Sequence, residues 1–186
     1  MDAHGPAVAI EPLGREHLDA MVAFVRANRR AFEQFNEPLP AACYGHQRLR
    51  AMLAACVDEV RAGTTCCLVA RKLCGRAIVG RAVMKAWQTE PASATIAFQT
   101  DRLHLGAGVA SALVGALIDV AERSGVGHLD AIATEDNHAS LHILEKHGFR
   151  RLDEPVRMRL RRGVVDCVAL RLSTDAQPAR FFTATA

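Results

Sequence analysis

The stretch that most constrains this chain runs from Ser93 to Thr134. A β-type segment, SATIAFQT (Ser93 to Thr100), leads into a turn with glycines at 106 and 108. A helical pattern from Gly108 to Ser124 follows, then a second β-type segment, HLDAIAT (His128 to Thr134). Val109, Leu113, Val114, Leu117, Val120 and Ala121 recur at the three-to-four spacing that places them on one side of a helix. Neighbouring strands joined through a helix of this length run parallel, with the helix crossing one face of their sheet. The chain therefore contains one parallel crossover and is mixed α/β.

The flanking segments are of a different kind. Val8 to Pro12 has the composition of a short strand, and Arg15 to Asn28 and His46 to Ala62 carry one-faced helical spacing. Phe32 to Tyr44, with Pro38 and Pro40, reads as a loop or a broken helix. Thr64 to Arg71 and Arg76 to Trp87 are β-rich runs around a turn at Gly75. After His128 to Thr134 come a short helix, Asn137 to His147, and a hairpin of Arg151 to Arg161 with Val164 to Ser173. This gives about seven strands and about four helices. A length of 186 residues suits one domain, expected over 1–174, with an Ala- and Thr-rich tail at 175–186.

Charge and composition narrow the function. The net charge of +3 is spread along the chain, so no nucleic-acid partner is expected. No signal peptide pattern and no apolar run of about 20 residues is present, so a soluble cytoplasmic protein without a membrane partner is expected. Six cysteines lack any Cys-x-x-Cys pair, and Cys66 and Cys67 are adjacent, which points them to opposite faces of a strand. Reduced, mostly buried thiols are expected, with no disulfide and no metal.

The turn Leu105-Gly106-Ala107-Gly108-Val109-Ala110-Ser111 opens a helix whose first N–H groups lack partners and suit a pyrophosphate. Such a turn also serves simply as a turn. A Walker loop would need Lys after the second glycine, where Val109 stands. A dinucleotide fingerprint would need a third glycine where Ser111 stands, and more βα units after it.

The run from His104 to Phe149 resembles the acyl-CoA-binding half of the GNAT acyltransferase superfamily. The resemblance rests on Leu105-x-x-Gly108-x-Ala110, Asn137-x-x-Ser140 and Glu145-Lys146-His147-Gly148-Phe149. More weakly, Asn28-Arg29-Arg30, the loop from Phe32 to Pro40 and the hairpin with Gly163 and Asp166 resemble the branch that acetylates N-terminal amines of ribosomal proteins. The resemblance implies a GNAT-type α+β domain with a mostly antiparallel sheet whose strands splay where acetyl-CoA, as cosubstrate, lies. It implies that backbone groups of Phe98, Gln99 and Thr100 bind pantetheine, that the loop Leu105, Gly106, Ala107, Gly108, Val109, Ala110 and Ser111 holds the pyrophosphate, and that Asn137 meets the arm near its thiol. Two departures stand out. The strand glutamate that often acts as base falls at Thr95, and the tyrosine that protonates the thiolate falls at Leu144. Leu105 replaces the usual Gln or Arg.

Acyl transfer needs a neutral amine, a polarised thioester and a proton for the departing thiolate. Ser140 is the candidate for the last role, or else makes local backbone bonds. Glu154 is a candidate to orient the amine, or else is solvated. His138 and His142 share a helix face, but a third metal ligand is missing. Arg157, Arg159 and Arg161 alternate along one strand face, suited to an acidic substrate, to a phosphate or to solvent. Glu33 and Glu37 in the early loop would draw a cationic amine, unless they are ordinary surface residues. The expected activity is acetylation of a primary amine, foremost an N-terminal α-amine. The alternatives are a small-molecule acceptor or a silent acyl-CoA-binding module, and a homodimer is left open.

Overall fold

The computed structural model describes residues 7–87 and 92–174; the tail expected at 175–186 lies outside them. The first half of the sheet is an antiparallel meander of β1 (Val8–Pro12), β2 (Thr65–Lys72), β3 (Ile78–Trp87) and β4 (Ser93–Thr100). Between β1 and β2 the chain forms α1 (Leu18–Glu33) and α2 (His46–Arg61), linked through a 3-10 turn at Ala41–Tyr44. The expected crossover is present: β4, α3 (Val109–Arg123) and β5 (His128–Thr134), with β4 and β5 parallel. After β5 come α4 (His138–Lys146), β6 (Arg150–Arg151), β7 (Val156–Leu160) and β8 (Gly163–Ser173). The order across the sheet is β1-β2-β3-β4-β5-β8-β6, with β7 also paired to β8.

Among the described residues, eight strands stand where about seven were expected. The segment Arg151 to Arg161 is two strands, because the chain leaves β8 around Pro155, which has no N–H to give to a ladder. Helix α1 also runs five residues beyond the expected Asn28, so Glu33 belongs to a helix and not to a loop.

Alternation along the strands divides the core in two. Leu68, Ala82, Met84, Ala94 and Ile96 face α3 and α4, where Leu113, Leu117 and Leu144 are fully buried. Cys67, Val69 and Val83 face the other way, against Met21, Val25, Leu53 and Val57 of α1 and α2. Each fully buried leucine contributes about 1.5–3 kcal/mol of burial free energy. Helices α1 and α2 cover only the β1–β4 half of their face. On the β5–β8 half, Ile132 is exposed and Arg171 pairs with Asp130 at 2.7 Å. Cys66 and Cys67 do point to opposite faces, and all six cysteines are unpaired thiols.

Candidate functional site

At the C-terminal end of β4 the chain turns through a 3-10 turn at Arg102–His104 into the glycine loop. Asp101 caps that turn by accepting the Leu103 N–H at 2.8 Å. Asn28 of α1, 1% exposed, accepts the Arg102 N–H at 3.0 Å and donates its own amide to the Phe24 carbonyl. The turn leading into the loop is thereby fixed to α1. Gly106 and Gly108 have φ of 76° and 77°, a left-handed backbone that side chains with a Cβ avoid, and Gly108 is the N-cap of α3. Ala112 makes the first bond back to Gly108, which leaves the Val109, Ala110 and Ser111 N–H groups without intrahelical partners. A close approach holds α3 in place: a Cβ on Gly80 of β3 would lie 2.8 Å from Val109 and Leu113 side-chain carbons.

Beside this loop the sheet opens. Strands β4 and β5 pair only from Ser93↔His128 to Thr95↔Asp130. From Ile96 to Thr100, β4 pairs with β3 alone. The hydroxyl of Thr100 is buried without a hydrogen-bond partner among the described residues. An unpaired strand edge, an orphaned hydroxyl and a glycine loop with free N–H groups thus follow one another along the chain, features that suit the pantetheine arm the sequence resemblance implies. Across the opening, at the end of β5, Asn137 caps α4 by accepting the Ser140 N–H at 3.2 Å. Ser140 is half-buried, and Leu144 is 1% exposed within the core. Behind the loop, Ser111 Oγ lies 2.9 Å from His147 Nε2, and burial pushes the His147 imidazole below its usual pKa.

On the opposite face of β4 lies a cavity of about 570 Å³ between the sheet, α1 and α2. Its floor comes from two antiparallel strands in register, with Arg81 opposite Gln99, Val83 opposite Ala97 and Lys85 opposite Thr95. Its walls include Arg29 and Glu33 of α1, Tyr44, and Cys56 and Glu59 of α2. Phe98 and Gln99, the expected pantetheine strand, border this cavity as well as the opening. A single strand, β4, thus borders both the opening and the cavity.

The electrostatics of this cavity were not visible in the sequence. Glu33 is buried, and its carboxylate meets Arg29 at 2.9 Å and Arg161 at 2.6 Å. The Arg161 guanidinium first, then Arg29 and Tyr44, hold its pKa at about 2 against the cost of burial. Burial and the Glu33 charge push the Tyr44 hydroxyl up, and Arg29 stacks 3.8 Å from the centre of its ring. Glu33 is therefore neutralised structure and not a surface lure for cations; Glu37 does line the cavity, exposed. Cys56 lies against the buried Cys67 thiol, and that contact, with Arg81 and Lys85, pulls the Cys56 thiol below its usual range. Cys67 is pushed up by the same contact and by burial.

Other sequence candidates stand apart from the cavity. Glu154 is exposed in the link between β6 and β7, and the charge that senses it is Arg171. Arg157 pairs with Asp166 at 3.0 Å, while Arg161, in the turn after β7, reaches Glu33, so these two arginines serve different partners. His138 and His142 are exposed, and no group of three or more potential metal ligands exists among the described residues. Arg81, Lys85, Tyr44, Cys56 and Glu59 were missed; the alternation Arg81-x-Val83-x-Lys85 was the one local signal that three side chains share a face.

This arrangement has counterparts. Residues 8–150 match the family model described as an acetyltransferase (GNAT) domain. No curated protein matches the sequence. Among solved structures, ribosomal-protein-S5-alanine acetyltransferase from Vibrio fischeri superposes with a TM-score of 0.84 at 13% identity, over 92% of this chain and 96% of that one. Phosphinothricin acetyltransferase from Sinorhizobium meliloti, in complex with AcCoA, gives 0.74 at 14% identity over 96% and 97%. Mycobacterium smegmatis RimJ, in complex with CoA-disulfide, gives 0.74 at 18% over 90% and 83%. The chain belongs to the GNAT acetyltransferase family, and it is an N-acetyltransferase whose cosubstrate is acetyl-CoA. No helix among the described residues is long and apolar enough to cross a membrane.

Proposed function

We propose that this enzyme transfers the acetyl group to an N-terminal α-amine of a protein or peptide. The observation that carries the reading is the cavity floor. Its strand residues offer two cations, Arg81 and Lys85, and Thr95 in place of a carboxylate. Positive charge beside a bound amine favours its neutral form. An α-amine, titrating near 7.7–8.0 in the unperturbed state, needs little such help, whereas a lysine near 10.4 needs a great deal. The similarity to acetyltransferases named for ribosomal-protein alanine supports the same acceptor class.

In this reading the edge of β4 at Phe98, Gln99 and Thr100 holds the pantetheine arm by backbone bonds. The loop residues Leu105, Gly106, Ala107, Gly108, Val109, Ala110 and Ser111 hold the pyrophosphate. Acetyl-CoA supplies an activated thioester. Asn137 fixes the first turn of α4 by accepting the Ser140 backbone N–H; as the amine nitrogen bonds to the acetyl carbon and the C–S bond breaks, the Ser140 hydroxyl gives its proton to the departing sulfur and takes up the proton the amine loses. Glu154 serves no step in this scheme. The unpaired thiols, exposed Cys74 among them, suit a reducing cytoplasm.

The test is CoA release with two peptides, one with a free N-terminus and no lysine, one N-blocked with a lysine. The free N-terminus should be acetylated at least ten-fold faster at pH 7, with the rate rising through the acceptor's own pKa. Ser140→Ala should lower kcat by about 100-fold or more if it is the acid. Faster acetylation of the blocked peptide overturns the acceptor; turnover of small amines alone points to a small-molecule acetyltransferase, and none at all to a silent module.

A further inference from the structure

Next to the acceptor cavity lies a second one of about 580 Å³, and its lining is one-sided in charge. Arg29, Arg30, Arg161 and Arg162 face Glu33 and Gln34. Arg29 and Glu33 belong to both cavities, so the two are continuous in their lining. The single carboxylate of the groove is already held by Arg29 and Arg161. Arg162 pairs with Asp136, which is outside the lining, and Arg30 has no ion pair among the described residues. Arg161 and Arg162 are 57% and 44% exposed in their side chains. A guanidinium carries five N–H donors and a carboxylate pairing uses only some of them, so these groups can take further acceptors. The inner cavity is different, since Glu37 and Glu59 stand on its walls while Arg81 and Lys85 stand on its floor. The surplus positive charge sits at its neighbour.

We infer that the arginine groove between the end of α1 and the β7–β8 turn binds acidic residues that follow the acceptor's N-terminus, so that the preferred substrate is the α-amine of an acidic N-terminal segment. This rests on the α-amine reading above. A peptide whose first residue enters the inner cavity continues past Arg29 and Glu33 into the groove, where its carboxylates meet Arg30, Arg161 and Arg162. Complementary charge of this kind acts on encounter and on register, and salt weakens it over a Debye length of roughly 10 Å at 0.1 M.

The experiment compares two free-N-terminus peptides that differ only at positions two to four, three Glu against three Gln. At low salt the Glu peptide should have at least ten-fold higher kcat/KM, mainly through KM, and the ratio should shrink several-fold at 0.5 M salt. Arg30→Glu should reduce the ratio to about one, and Arg30→Ala should lower it at least three-fold. Arg123→Ala, on the far face of the sheet, should leave it unaltered. Turnover of the Gln peptide sustains the α-amine reading by itself. A wild-type ratio near one, or a ratio that survives Arg30→Glu, overturns the groove while that reading stands. Acetylation of neither peptide overturns both.

Discussion

The two faces of β4 make their sites from different materials. On the side of α3, the proposed binding elements are backbone: left-handed glycines at 106 and 108, free N–H groups at the start of a helix, and a strand edge without a partner. On the side of α1 and α2, they are side chains brought from distant segments, as with Glu33 of α1 meeting Arg161 of the β7–β8 turn. A backbone site depends on a few local residues and tolerates change around it. A side-chain site depends on every element that contributes.

That contrast can be broken most forcefully at Gly108. Gly108→Val places a branched residue at a φ of 77° and should weaken acetyl-CoA binding by about 100-fold, read by calorimetry on folded protein. Unchanged affinity would mean that Gly108 serves the turn alone. Next, Gly80→Val should cost about 1–3 kcal/mol, since Val109 and Leu113 must move, and lower Tm by several degrees. If it also weakens acetyl-CoA, the backbone site depends on the packing beneath it.

Glu33 tests the other side through pH. Its pKa is held at about 2, down from 4.5, so between these values the unfolded chain binds more protons than the folded one. Its contribution is whole above that window and is lost as pH falls through it. Glu33→Gln should therefore be less stable than wild type at pH 7 in urea, and the gap should narrow as pH drops below 4. A constant gap would put the loss down to packing. Smallest of all, Leu105→Gln gives the loop the side chain common at that position in the family and should tighten acetyl-CoA by a few-fold, an effect of about one hydrogen bond. No change would leave the loop a purely backbone device.

The same contrast explains what the sequence disclosed. The β4–α3–β5 crossover, the glycine turn and the short helix that follows β5 are local, since spacing and residue type fix them within a few turns of chain. The acceptor side was opaque for the opposite reason. Glu33 stood in what read as a proline-containing loop, and only the extension of α1 and the arrival of Arg161, far along the chain, give it a burial and a charge. Arg81 and Lys85 drew no notice because a strand cation is ordinary until its register partner and the helix above it are known. The split of Arg151 to Arg161 was signalled by Pro155, but a two-residue strand such as β6 has no pattern of its own.

The parting of β4 from β5 bears on solubility. Five residues, from Ile96 to Thr100, present an edge in the middle of a sheet rather than at its border. Unpaired edges invite extended segments of other chains, and this one has neither a proline nor a charged residue to discourage them. A bound ligand that occupies the gap removes the template. The protein should accordingly clump more readily when its cosubstrate is scarce, a hazard that follows from the opening proposed to hold that cosubstrate.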